Sequence, residues 1–418
     1  MNDQYNIKVL LTCVNKAIHG ETGLNEDINE ADWDRIYELA KRNKLATVLI
    51  PFIQKSSENL NIPVALLADW KKEALGYMLA ESRKYMVLRQ ILQLAKEEDI
   101  TFILFKGCVL ADMYPNYLSR ITSDTDIFVY ERDKKKAVRI FENMGFRKST
   151  ISSKDSVYKY ILDSIFYKVE LHFSLWEDYK SDKIRLMDEM RLTKEETLLR
   201  VKACGMDVVT LGYEEHLIFQ MFHIIKHFSL QGVTIRYLVD ITLFVNRFGE
   251  QINLQRFWEK MKILNYDKFC ENFFYLCMQY LGMSSKIMEG RQAKIIGNVD
   301  DFIVDLMNVG ISYEKRTADW HLVGILQPYF LGELVIPKSR FGRTLRILFP
   351  SSEVIPFAYA RKYKILLPVA WIHRCFYFLV KLPTCRKEIK DAKEKMHLAE
   401  IRLSLMQSLG LAGGGNRE

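Results

Sequence analysis

From about residue 5 to 95 apolar residues recur every three to four positions, as in DWDRIYELAKRNKLATVLIPFIQ (32–54) and LADWKKEALGYMLAESRKYMVLRQILQLAKEED (67–99). That spacing lines one face of a helix, so residues 1–98 are expected to be helical, with Asp32 and Asn61 as start signals. Between 99 and 212 the period shortens. ITFILF (100–105) and DIFVY (126–130) are brief β-rich runs, and KKKAVRIFENMGF (134–146) is a helix stopping at Gly145. YKVELHFSL (167–175) alternates apolar and polar like a half-buried strand, and MDVVTL (206–211) adds a last one. Strands interleaved with helices predict a small α/β or α+β core. GYEEHLIFQMFHIIKHFSLQGVTIRYLVDITLFVNRFG (212–249) then reads as two helices broken near Gly232, and helix continues to about 300. Residues 301–418 mix apolar and basic positions, are expected to be mainly helical, and end in a disordered tail, LAGGGNRE.

Composition adds scale. A chain of 418 residues, 49% apolar, suffices for two or three packed units. Seven cysteines are odd in number and scattered without a CxxC pair, and the first twenty residues lack a secretory pattern. A reduced, cytoplasmic protein is the expectation. The net charge of +8 is concentrated, because Lys338 to Lys387 holds eleven Lys or Arg against one acid, Glu353. Such a segment suits phosphate in nucleic acid, anionic lipid or a phosphorylated carrier. Within it ILLPVAWIHRCFYFLV (365–380) is too short and too polar at His373-Arg374 to span a bilayer. It reads as a buried core helix, with an interfacial helix in peripheral membrane contact as the alternative.

The chemistry gathers at SDTDIFVY (123–130). On a strand, residues i and i+2 share a face, which would set the Asp124 and Asp126 carboxylates side by side, with Cα atoms roughly 6–7 Å apart. Like charges that close call for a cation, and oxygen donors suit Mg²⁺ or Mn²⁺. Glu170, on the other candidate strand, would be a third ligand or the base for an acceptor hydroxyl. Upstream, Lys106-Gly107 ends a strand and opens a helix, where backbone N–H groups and an ammonium can receive phosphate, and Arg120 is a second phosphate candidate. His216, Gln220, His223 and His227 share one helical face with Lys226 at its edge, which suits helix packing, phosphate or acceptor contact, or zinc lacking a third ligand. Arg236 and Asp240, four apart, make either an intrahelical ion pair or a phosphate-binding arginine oriented by its aspartate.

Taken in order, FKGCVLADMYPNYLSRITSDTDIFV followed by VELHFSL resembles bacterial nucleotidyltransferases of the DNA polymerase β superfamily, in the branch described as uncharacterised nucleotidyltransferase-like proteins. The matching positions are Lys106-Gly107, Tyr114-Pro115, Arg120, Asp124/Asp126 and Glu170/His172, then His223, Lys226-His227, Arg236 and Asp240. The resemblance covers about 35 to 250 and, more loosely, LFPSSE, which looks like relatives among surface-polysaccharide genes. It implies an α+β fold, a polymerase-β-like nucleotidyltransferase core in which a mixed sheet is flanked by helices, embedded in a mainly helical chain. The implied units are a helical 1–98, a core at 99–212, a helical 213–300 and a basic 301–418. It also implies Mg²⁺- or Mn²⁺-dependent transfer of a nucleoside monophosphate from an NTP, with Asp124, Asp126 and Glu170 holding metal. Lys106, Gly107, Arg120, His172, His223, Lys226, His227, Arg236 and Asp240 would face substrate. The acceptor would be a glycan or sugar phosphate. Rival readings are a toxin-like enzyme acting on tRNA or protein, and a non-catalytic scaffold. One departure stands out: Cys108 replaces the wider superfamily's Ser or Gly after Gly107, and sixteen residues rather than about a dozen precede Asp124. Lys106 or more distant bases would therefore have to hold the triphosphate.

Overall fold

A computed structural model describes residues 3–291 except 22, 24–27, 29, 150–155, 177–181 and 231–232, together with 302–303, 306–307, 349, 357, 359–360, 363–381, 405–406 and 408–411. The N-terminal quarter is helical as its periodicity requires: α1 (Asp3–Ile18), α2 (Trp33–Arg42), α3 (Ala46–Leu60) and α4 (Val64–Glu97). Asp32 caps α2, its side chain accepting from the Arg35 N–H at 3.0 Å. Asn61 does the opposite of what its sequence position suggested. It closes α3 in the left-handed conformation (φ 50°), which Asn tolerates better than most residues, and Pro63 precedes the first residue of α4. The 34 residues of α4 reach about 50 Å at 1.5 Å per residue, long enough to serve two cores. Trp70 and Ala74 enter a helical core, whereas Tyr85, Leu88, Ile91 and Ala95 pack under the sheet.

The sheet follows from the alternating segments. Its elements run β1 (Ile103–Leu104), the one-turn helix α5 (Cys108–Ala111), β2 (Thr125–Phe128), α6 (Lys134–Asn143), β3 (Arg147–Lys148), β4 (Val157–Leu162), β5 (Tyr167–His172), α7 (Asp182–Glu189), β6 (Leu199–Ala203) and β7 (Met206–Thr210). The seven strands are ordered β3-β4-β5-β2-β1-β7-β6, with β2–β5 and β1–β7 parallel and the other neighbours antiparallel. This is a mixed sheet in a largely helical chain, an α+β fold. β4 and β6 escaped the sequence reading because Lys, Arg and Tyr fill their alternate positions and blur the apolar run. Period-two alternation sorts the side chains: Ile127, Val129, Val169 and Leu171 pack with α4 and α6 on one face. Asp126, Phe128, Glu170 and His172, of opposite parity, therefore lie on the other.

That second face is covered by α8 (Tyr213–Leu230) and α9 (Ile235–Phe248), followed by α10 (Leu254–Ile263) and α11 (Asp267–Leu281). Their apolar faces join α1–α3 in one core through residues such as Leu217, Phe222, Leu238 and Phe273. The expected break between two helices falls between Leu230 and Ile235. Most of the basic segment and the glycine-rich tail lie outside the described residues. Within the last third, α12 (Leu367–Lys381) forms where a buried core helix was expected, yet its Val369, Ile372 and Phe376 face solvent. No helix among the described residues is long and apolar enough to cross a membrane. Cys13, Cys108, Cys204, Cys270 and Cys277 are buried free thiols.

Candidate functional site

The parallel pairing of β2 with β5 sets Asp126 directly beside Glu170 and Phe128 beside His172. Neighbouring strands lie about 4.8 Å apart, so a carboxylate from each strand converges on one patch of sheet. His172 Nε2 stands 3.1 Å from Asp126 Oδ1 and 3.7 Å from Glu170 Oε2. One ligand atom from each of Asp126, Glu170 and His172 falls within 4.8 Å of the others, a span that a single cation could bridge. Asp124 lies just before the strand and outside that trio, its nearest hydrogen-bond donor being the Ser123 hydroxyl at 3.3 Å. Burial, then repulsion from Asp126 and Glu170, raises the Asp124 carboxyl above its ordinary value, with Lys106 pulling the other way.

Lys106 supplies the counter-charge. Its ammonium is 2.8 Å from Asp126 Oδ2 and lies over the Phe105 and Phe219 rings. Burial alone would lower its pKa, but Asp126 and Asp124 hold it above the ordinary lysine value. By the same pairing, Asp126 is kept well below the usual carboxylate range by Lys106 and His172 despite its burial. Lys159 is paired with Glu170 at 2.6 Å. Gly107 follows with φ 56° and ψ −114°, a combination that essentially only glycine adopts, so the chain can turn from the strand end into α5. The Cys108 thiol is not a site group. It is buried in the sheet core, and burial pushes it up to about 12.

Arg120 and Asp240, 120 positions apart, are joined. Arg120 Nε and Nη2 donate to the two Asp240 oxygens at 2.7 and 2.9 Å, and Nη1 reaches the Gly107 carbonyl at 3.4 Å. The Tyr114 hydroxyl donates to Asp240 Oδ1 at 2.7 Å, and Arg236 Nη1 approaches Oδ2 at 3.4 Å. Burial opposes ionisation of Asp240, but Arg120 and Arg236 outweigh it and hold the carboxyl below its ordinary value. With its fork committed to Asp240 and only 4% of the residue exposed, Arg120 ties the Gly107 turn to α9. Glu81 of α4 braces the segment that carries Asp124. It accepts from the Thr122 N–H (3.0 Å) and hydroxyl (2.7 Å) and pairs with Lys84 at 2.7 Å.

The helical histidines divide. His216 donates through Nε2 to the Phe105 carbonyl at 2.6 Å, pinning α8 to the end of β1, and burial drops its pKa to about 4. His223 and His227 stack edge to face at 4.3 Å, both about 6 Å from Tyr237. Burial, then Lys106 and His227, keep the His223 imidazole well below its ordinary value. No third ligand joins the two in a metal-holding group among the described residues. Lys226 is half-buried beside them and adds its charge to those acting on His223. Arg236 is buried at the start of α9, and its Nε has no hydrogen-bond partner. Gln220 Nε2 and His172 Nδ1 are likewise buried and unpartnered.

Sequence reasoning missed Lys44. It occupies the left-handed turn between α2 and α3 (φ 57°), and its neighbour Asn43 accepts from the Ile235 N–H at 3.0 Å, which fixes that turn beside the start of α9. Burial, with Arg236 nearby, lowers the Lys44 amine to about 8, while Asp124 opposes the drop. A lysine in a helix turn carries no motif. Only the apposition of the α2–α3 turn with the start of α9 brings its ammonium within electrostatic reach of Asp124 and Arg236.

Two solved structures of ANT(2'')-Ia are similar to the chain at 12% identity. The solution structure of this antibiotic-resistance factor covers 47% of this chain and 96% of its own, with a TM-score of 0.32. A crystal structure in complex with adenylyl-2''-tobramycin covers 44% and 94%, with a TM-score of 0.31. No curated protein matches the chain. The profile of a family described as uncharacterised nucleotidyltransferase matches residues 29–282, a span that includes Lys44, both carboxylate strands and the α8–α9 pair, and the chain belongs to that family.

Proposed function

We propose that the chain moves a nucleoside monophosphate from an NTP to an acceptor hydroxyl, with Asp126, Glu170 and Asp124 gathering around a divalent cation, Mg²⁺ or Mn²⁺. The observation that carries this reading is the lateral pairing of Asp126 with Glu170 on adjacent parallel strands, with His172 shared between them and Asp124 two residues ahead. The donors fit such an ion. Carboxylate oxygens suit both metals, and the imidazole favours Mn²⁺ over Mg²⁺. Lys106 engages Asp126 Oδ2, which leaves Oδ1 on the His172 side. A bound cation would supply Lewis-acid stabilisation of charge on the phosphate being transferred.

The chain's own residues divide the remaining work. Lys106, Lys44 and Arg236 offer positive charge to the triphosphate, in place of the hydroxyl that Cys108 lacks. Glu170 takes the proton of the acceptor hydroxyl as its oxygen attacks the α-phosphorus; the bond from that phosphorus to the bridging oxygen breaks and pyrophosphate leaves. The His223–His227–Tyr237 wall flanks Lys106 and offers flat surfaces to a base or sugar. Arg120 and Asp240 act behind the site, holding the Gly107 turn in place. The acceptor favoured by the resemblance to polysaccharide-locus proteins is a glycan or sugar phosphate.

The test is incubation of the purified chain with each α-³²P-labelled NTP, Mg²⁺ or Mn²⁺, and separate glycan, tRNA and protein fractions. Metal-dependent labelling by the wild type and its loss in Asp126→Asn and Glu170→Gln are expected, and the labelled fraction names the acceptor class. No labelling, together with no NTP binding by calorimetry, would leave a non-catalytic binding module.

A further inference from the structure

The helix α12 and the turn leading into it turn four large apolar residues outward. Ile365, in the turn leading into it, and Val369, Ile372 and Phe376 are 87, 55, 59 and 63% exposed. Their spacing of four, three and four places them within about 60° of one another on a helix turning 100° per residue. The opposite face holds the intramolecular contacts. Ala370 is buried with Ala360, and Trp371 packs edge to face on Phe349 at 5.3 Å. His373, at the margin, stacks on Phe357 at 4.2 Å. Among the described residues the helix thus rests on its own small cluster and presents an exposed aliphatic and aromatic stripe outward.

Charge indicates what covers that stripe. In the sequence Arg361, Lys362 and Lys364 precede the helix, Lys381 ends it, and Arg386 and Lys387 follow it, within a stretch from 338 to 387 that holds eleven bases and one acid. A second copy would bring the same excess of positive charge against itself. An anionic bilayer offers what both features need: acyl chains for the stripe and headgroup phosphates for the flanking bases. Fifteen residues span about 22 Å, short of the roughly 30 Å hydrocarbon core, so the helix lies in the interface and does not cross it.

We infer that α12 docks the protein onto anionic membrane surfaces, with Ile365, Val369, Ile372 and Phe376 inserted among the lipid chains and the flanking bases on the headgroups. This stands independently of the nucleotidyl-transfer reading. The full chain is to be tested by flotation with phosphatidylcholine vesicles and with vesicles containing one-third phosphatidylglycerol, at 50 and 500 mM NaCl. Expected are binding to the anionic vesicles alone at low salt, at least tenfold weakening at high salt, and at least tenfold weakening by Ile372→Ser/Phe376→Ser. Both substitutions fall on exposed positions, so circular dichroism and melting should be unchanged. Absence of binding at low salt would overturn the inference, as would binding that the double substitution leaves intact. A concentration-dependent dimer abolished by that substitution, without vesicle binding, would assign the face to a second copy instead.

Discussion

Asp240→Asn tests whether Arg120 is a strut or a phosphate ligand. The carboxylate accepts two hydrogen bonds from Arg120 and one from Tyr114 at 2.7–2.9 Å, with Arg236 at 3.4 Å, and all four residues are buried. An asparagine keeps the shape and one acceptor but sets an NH₂ against Nη2 or Nε and leaves two guanidinium groups with no counter-charge. Removing one partner of a buried ion pair costs about 3–5 kcal/mol. Each charge-assisted hydrogen bond lost contributes about 1.5–3 kcal/mol of that. Urea unfolding followed by tryptophan fluorescence should therefore show about 3–5 kcal/mol lost in Asp240→Asn. Arg120→Met alone should cost a similar amount, and Arg120→Met/Asp240→Asn less than the sum of the singles by about 2 kcal/mol or more, because the groups are coupled. If Asp240→Asn costs under about 1 kcal/mol while the transfer reaction collapses, the pair is not a structural strut and the assignment of Arg120 is wrong.

Gly107→Ala should destabilise the fold by about 1–3 kcal/mol in the same assay, through backbone strain alone. A Cβ there would meet no atom within 4 Å, so a neutral result would mean that the φ 56° turn is not required. Glu81→Gln removes the charge that Lys84 pairs with, leaving its ammonium only the Thr122 carbonyl, and loosens the Thr122 segment. Stability should fall by about 1–3 kcal/mol, and transfer at saturating NTP should slow several-fold as Asp124 loses its brace; an unchanged rate would separate that brace from function. The pH dependence follows from His216, at about 4 in the fold against an ordinary 6.5. The unfolded chain takes the proton first as pH falls, so stability present above 6.5 declines down to about 4 and then levels. The loss from pH 7.5 to 5 should be about 2 kcal/mol, smaller in His216→Gln by that amount, and equal pH slopes in the two proteins would refute it. His223 is shifted in the same direction and contributes to both.

The chain's short-range patterns carried much of this. Helical spacing marked α1–α4 and α8–α11, short β-rich runs marked β1, β2 and β7, alternation marked β5, and the order of Lys106-Gly107, Asp124-x-Asp126 and Glu170-x-His172 set out the carboxylates. These signals are local, because 3.6- and 2-residue periods and i, i+2 spacing depend only on backbone geometry. Local pattern also misled where one residue type serves two ends: Asn61, which can cap a helix start, sits left-handed at a helix stop. The apolar run of α12 read as core because composition does not say which face meets the protein.

Only the tertiary structure decided which charges meet. Arg120 and Asp240 read separately as substrate-facing groups, yet packing of α9 against the α5 turn joins them in one buried ion pair. Packing of the α2–α3 turn against α9 carries Lys44, 80 residues before Asp124 in the chain, to its vicinity. Burial then sets their protonation, raising Asp124 and lowering Lys44 and His216, because charge transferred out of water is stabilised only by the neighbours that the fold happens to supply. A linear chain specifies the groups; their energies depend on separations of a few ångströms between residues a hundred positions apart, and those distances exist only once the helical layer has closed over the sheet.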